Sequence, residues 1–105
     1  MDTNSERQRY VVGELHCGRD LAAKDAEVFG ECSDPYAVLW IGQPTDMEMP
    51  PDSVRTHTVF ASLSPSWKFP FQFDGGALGF RSDDVLHIRL FDFDANSQHD
   101  YMGTV

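Results

Sequence analysis

Asp92, Asp94 and Asp100 fall within nine positions, directly after an apolar run and just before the chain ends. Carboxylates held this close repel one another. Two unit charges about 5 Å apart at an effective dielectric of about 20 cost about 3 kcal/mol, against a total domain stability of about 5–15 kcal/mol. Three responses are open to such a cluster: the segment splays apart, the acids take up protons, or a cation sits between them. Asp20, Asp25 and Asp34 supply more carboxylates ahead of a second apolar run. A donor set made of oxygen alone, without thiolate or imidazole, favours a hard cation. Calcium, with six to eight oxygens in flexible geometry, fits better than magnesium, which demands a tight octahedron.

Other chemistries use the same residue types. Aspartates are common in turns because they cap nearby backbone groups, and this is the plainest reading of each one taken singly. An EF-hand loop also begins D-x-D-x-N, as residues 92–96 do, but it needs glycine at its sixth position and glutamate at its twelfth. Those positions hold Ser97 and Gly103. A strand followed by Asp-x-Asp also opens the haloacid-dehalogenase phosphatase signature, in which the first aspartate is a nucleophile. That signature does not tolerate Asn96, and it needs later residues for which no chain remains. No Ser-His-Asp set, glycine-rich phosphate loop or zinc spacing is present, so the chain is not expected to be an enzyme. His99, beside Asp100, is expected to be solvated.

The elements that must position these acids read as strands. Residues 10–17 nearly alternate, with Val11, Gly13, Leu15 and Cys17 on the face expected to meet the core. A second strand spans 35–41, with Ala37, Leu39 and Ile41 inward and Trp40 outward. Residues 55–60, rich in β-branched side chains, form a third. "SLSPSW", 62–67, reads as a turn, with Trp67 expected to pack. Residues 69–73 place Phe69, Phe71 and Phe73 on one side. Residues 85–91 put Leu86, Ile88 and Leu90 inward and His87 and Arg89 outward, and 102–105 begin a further strand. No helix of ordinary length is visible, and the turn spacing is that of an all-β antiparallel β-sandwich. If successive strands alternate in direction, the loops at 18–34, 61–68 and 92–101 open at the same end. That end then collects five or six carboxylates.

Length and composition set limits. The chain has 105 residues, enough for one domain, with residues 1–8 a polar, disordered lead-in and 9–105 the folded part. Seventeen acidic residues against eight basic give a formal net charge of −9, which disfavours nucleic acid and, without a neutralising cation, anionic lipid. No stretch is long and apolar enough for a membrane-spanning helix, and the polar N-terminus is not a secretory signal. Cys17 and Cys32 are therefore expected to be free thiols in a reducing compartment.

"LAAKD" (21–25), "SDPYAVLWI" (33–41), "LSPSW" (63–67) and "LFDFDANSQHDYMG" (90–103) occur in this order across nearly the whole chain. Together they resemble the C2 domain, the calcium-dependent phospholipid-binding sandwich of synaptotagmins, protein kinases C and phospholipases. The resemblance implies five calcium aspartates, Asp25, Asp34, Asp92, Asp94 and Asp100. It adds the Ser97 hydroxyl and the backbone carbonyls of Lys24 and Phe93, all holding two or three Ca2+ ions. It implies a cytoplasmic module, monomeric in isolation, that attaches reversibly to anionic membranes and targets a larger protein there; a calcium-independent protein-interaction module is the alternative. Val28 and Phe29, in the long first loop, would insert into lipid. Eight residues separate Asp25 from Asp34 where about five are usual. Ser64 and Phe69 stand where asparagine and glutamate are common, and no lysine-rich run marks a phosphoinositide site. Since the family has eight strands, the resemblance also implies that the last one or two are missing here.

Overall fold

The computed structural model describes residues 9–19, 21, 33–96 and 98–105. Among these residues six strands follow one another: β1 (Tyr10–Cys17), β2 (Pro35–Gly42), β3 (Val54–Arg55), β4 (Ser66–Asp74), β5 (Val85–Asp92) and β6 (Asp100–Thr104). They make two antiparallel sheets, a pair β1–β4 and a four-stranded sheet ordered β3-β2-β5-β6. Among the described residues there is no helix, and so none long and apolar enough to cross a membrane.

The core lies between the sheets. Ala37 and Leu39 of β2 and Trp67 of β4 are buried there, with Leu15, Phe69, Phe71, Phe73, Leu86, Ile88 and Leu90 packed around them. Apart from Trp67, expected to pack from a turn, these are inward positions that the alternation in each strand predicts. Gly13 pairs with Phe71 across the β1–β4 ladder. A Cβ on Gly13 would stand 2.7 Å from the Phe71 ring, so the absent side chain leaves the space that the ring occupies.

The other face of β2 is also covered, which the alternation did not anticipate. Tyr36, Val38 and Trp40 are buried, with Phe91 and Phe93 against them. Trp40 does point away from the core, as expected, yet it is only 1% exposed. The His87 ring stacks on it at 4.6 Å, and the Arg89 guanidinium lies 5.0 Å from its centroid. Arg55 covers Tyr36 in the same way at 3.8 Å. In both pairs the guanidinium itself lies over the aromatic face, where the ring's π electrons attract the cation while it covers apolar surface. His87, expected outside, is buried by the same stack and bonds the Gln43 carbonyl at 2.8 Å.

Three other expectations are corrected. The third strand is only two residues long, not 55–60. Val54 and Arg55 pair with Leu39 and Val38, and then the Thr56 hydroxyl accepts from the Ala37 amide at 2.9 Å. A side chain thereby takes the place of a ladder carbonyl and regular pairing stops, although the Thr56 and Val59 amides still donate to the Ala37 and Pro35 carbonyls at 2.9 and 3.0 Å. The fourth strand begins earlier than 69, with Ser66 and Trp67 in the ladder rather than in a turn. Cys17 is exposed and free, not part of the core. Cys17 is the last residue of β1; the register shift there, with Leu15 opposite Phe69 and Cys17 opposite Ser66, puts the extra residue on β4, where Lys68 takes φ 47°.

Candidate functional site

Asp34 immediately precedes β2, and Asp92 ends β5. The ladder between these strands sets Pro35 opposite Asp92, so the two acids meet although 58 positions separate them. β6 then returns from the last loop and sets Asp100 opposite Asp92. The return ladder carries a register shift, with Tyr101 opposite Phe91 and Gly103 opposite Leu90. Gly103, at φ 144°, takes up the extra residue in a conformation that side chains rarely adopt.

The result is a depression of about 340 Å³ at one end of the molecule, lined by Asp34, Asp92, Asp94 and Asp100, with Phe60, Phe93 and Ala95 completing the wall. Three bonds run through Asp34. Its amide donates to Asp92 Oδ1 at 2.9 Å. Its carbonyl accepts from the Phe93 amide at 2.9 Å, and its Oδ1 accepts from the Ala61 amide at 2.7 Å. Asp92 is only 5% exposed, so its carboxylate lies at the floor. Asp94 stands higher and accepts from the Asn96 amide at 2.9 Å. The first loop starts at the same end, because Gly18 and Leu21 donate to the Pro65 and Leu63 carbonyls at 2.9 and 2.8 Å.

The floor is braced by aromatic rings. Tyr36 hydrogen-bonds His99 Nδ1 through its hydroxyl at 2.5 Å, and His99 lies against Phe93, centroids 4.8 Å apart. His99 is thus half-buried and held, not solvated as expected. Burial pushes the Tyr36 phenol above its ordinary pKa, and the Arg55 charge pulls part of the way back.

Of the residues expected at the site, Asp34, Asp92, Asp94, Asp100 and Phe93 are brought together. Asp25, Lys24, Ser97, Val28 and Phe29 lie outside the described residues. Among the described residues, no three carboxylate, imidazole or thiol groups converge tightly enough to hold an ion by themselves. The donor set they offer is nonetheless all oxygen, the chemistry that suits a hard cation. Sequence reasoning missed Phe60, Tyr36 and His99. Phe60 closes an alternating run and so read as the last residue of a strand. The Tyr36–His99 contact joins residues 63 positions apart and left no local signal.

Comparison with known proteins follows the same lines. The profile of the C2 domain matches residues 9–105. Multiple C2 and transmembrane domain-containing protein 2 of Mus musculus is 33% identical over 86 residues, which make up 82% of this chain and 8% of that protein. The chain thus spans less than a tenth of the length of this curated relative. Among solved structures, the A-type C2 domain of RIM from Drosophila superposes with a TM-score of 0.72 at 24% identity, covering 99% of this chain and 75% of that one. The two C2 domains, A and B, of calcium-bound extended synaptotagmin-2 give a TM-score of 0.72 at 20% identity, covering 94% of this chain and 34% of that one. At these identities the structural likeness is one of fold.

Proposed function

This chain belongs to the C2 domain family, and from that premise we propose that it binds calcium in the Asp34–Asp92–Asp94–Asp100 depression and docks through that end on anionic phospholipid membranes. The observation that carries the reading is the gathering of four aspartates from separate segments around one depression. Turn acids acting singly would have no reason to share a wall. Asp25, the Ser97 hydroxyl and the Lys24 and Phe93 carbonyls would complete an all-oxygen set for two or three ions. Val28 and Phe29 would add apolar contact with lipid.

Without a cation the acidic loops repel anionic headgroups. Calcium, when bound, supplies positive charge and coordination positions that lipid phosphate or carboxylate oxygens can fill. Two divalent ions take the formal net charge from −9 to −5, and the whole change falls at one end. The chain's own part is to hold the carboxylates in place beforehand. The Asp34 amide fixes the Asp92 carboxylate, the Ala61 amide fixes that of Asp34, and the Tyr36–His99 bond fixes the base of the last loop. Attached domains would be carried to the membrane with the module.

Sedimentation with phosphatidylserine–phosphatidylcholine vesicles tests the proposal. Binding is expected in calcium and not in chelator, and Asp92→Asn and Asp34→Asn are each expected to abolish it. Equal sedimentation in calcium and chelator would refute the calcium switch. One observation favours a second reading, a calcium-independent protein-interaction module: the Asp34 and Asp92 carboxylates already accept backbone hydrogen bonds. Calorimetry separates the two. Calcium at a hundredfold excess over its dissociation constant stabilises the fold by about 2.7 kcal/mol, whereas no heat and no thermal shift would favour the second reading.

A further inference from the structure

We propose that Phe60 is a membrane anchor, placed beside the acidic depression by the loop between β3 and β4; this rests on the lipid-docking reading above. Phe60 is 66% exposed, the most exposed phenylalanine, tyrosine or tryptophan among the described residues. It also lines the same depression as Asp34 and Asp92. Apart from an edge contact with Phe93, this apolar ring is left in water at the rim of an acidic cavity. It is placed to enter whatever apolar layer lies beyond the headgroups that meet the acids.

The loop holds the ring out. Val59 donates to the Pro35 carbonyl at 3.0 Å on one side of Phe60, and Ser62 donates to the Ser33 carbonyl at 2.8 Å on the other. Between them Ala61 adopts φ 55°, a left-handed conformation uncommon for a residue with a side chain. Its amide is bonded to Asp34 Oδ1. The Phe60 ring meets Phe93 edge-on, centroids 5.9 Å apart. A ring already fixed loses little freedom when it is buried, so more of its transfer free energy appears as affinity. The other exposed aromatics are less suited: Tyr10 and Tyr101 carry hydroxyls, and that of Tyr101 bonds Thr104. The anchor also shares its tether with the acids, since the amide next to Phe60 holds one of the carboxylates.

The test uses the whole chain and phosphatidylserine–phosphatidylcholine vesicles, in calcium and in chelator. Phe60→Ala is expected to need about tenfold more lipid for half-maximal binding in calcium, the loss that follows from leaving one phenyl ring unburied. Phe60→Trp is expected to restore binding, and its emission to be quenched by vesicles with brominated acyl chains. The two native tryptophans are 1% and 4% exposed and are shielded from that quencher, so wild-type emission is the control. A ring that only packs on Phe93 would not be quenched from within the bilayer. If wild type binds vesicles in calcium while Phe60→Ala binds equally well, or the tryptophan of Phe60→Trp is unquenched, Phe60 is not an anchor. If wild type itself stays in solution with calcium, the first arm alone overturns the docking reading and the anchor with it.

Discussion

Asp34 links three segments. Its amide holds Asp92, its carbonyl holds Phe93, and its carboxylate holds the turn at Ala61. Aspartate suits this position because a short side chain can reach a neighbouring loop's amide while the backbone continues into a strand. The sequence displayed the acids of this site plainly, since Asp92, Asp94 and Asp100 are close in the chain. It did not display their supports. Tyr36 is one such support, and it carries a testable signature. Its phenol is raised above the ordinary value by burial, so the folded state holds the proton more tightly than the unfolded chain does. The associated stability is complete below the unfolded value of about 10 and is lost as pH rises through the higher folded value. Thermal melts between about pH 9 and 11 should therefore show an alkaline loss that is smaller in Tyr36→Phe. At neutral pH the same variant should be destabilised by about 1 kcal/mol, the ordinary worth of one hydrogen bond.

At the scale of elements, β2 carries the architecture, and its two faces were unequally legible. Its core face, Ala37 and Leu39, followed from simple alternation. Its other face did not, because the cover over Trp40 and Tyr36 comes from His87, Arg89 and Arg55, residue types that usually mark solvent. Short-period patterns see the type of a side chain and not which ring its imidazole or guanidinium group lies on. The brevity of β3 was hidden for a similar reason: Thr56 has high strand propensity and its amide does bond β2, but its hydroxyl stands in for the carbonyl that would continue the ladder. Since Leu39 is fully buried between the two sheets, Leu39→Ala should cost about 2–5 kcal/mol. Urea unfolding monitored by tryptophan emission would report it as a lower midpoint with an unchanged slope.

Across the whole molecule, chemistry and scaffold are divided between different regions. The acids crowd one end, where the loops leaving β1 and β5 and the loop entering β4 meet, while the packing lies along the strands. The antiparallel order of the strands made that gathering readable from the sequence, since loops after alternate strands must open on the same side. The sandwich was legible for the same reason. What could not be read was how completely each sheet is flanked, because strand pairing depends on contacts between distant segments. Among the described residues the two sheets are unequal, two strands facing four, and this has a consequence for solution behaviour. β4 borders one side of its sheet with Lys68 and Pro70, residues that discourage further pairing. Among the described residues, β1 has no strand on its other flank, and Val12 there is 68% exposed. A strand flank that no described strand covers invites a neighbour, and mutual repulsion between molecules of charge −9 opposes it. Concentrated samples should hence scatter more light as salt screens that repulsion, and a single Val12→Lys should restore their clarity.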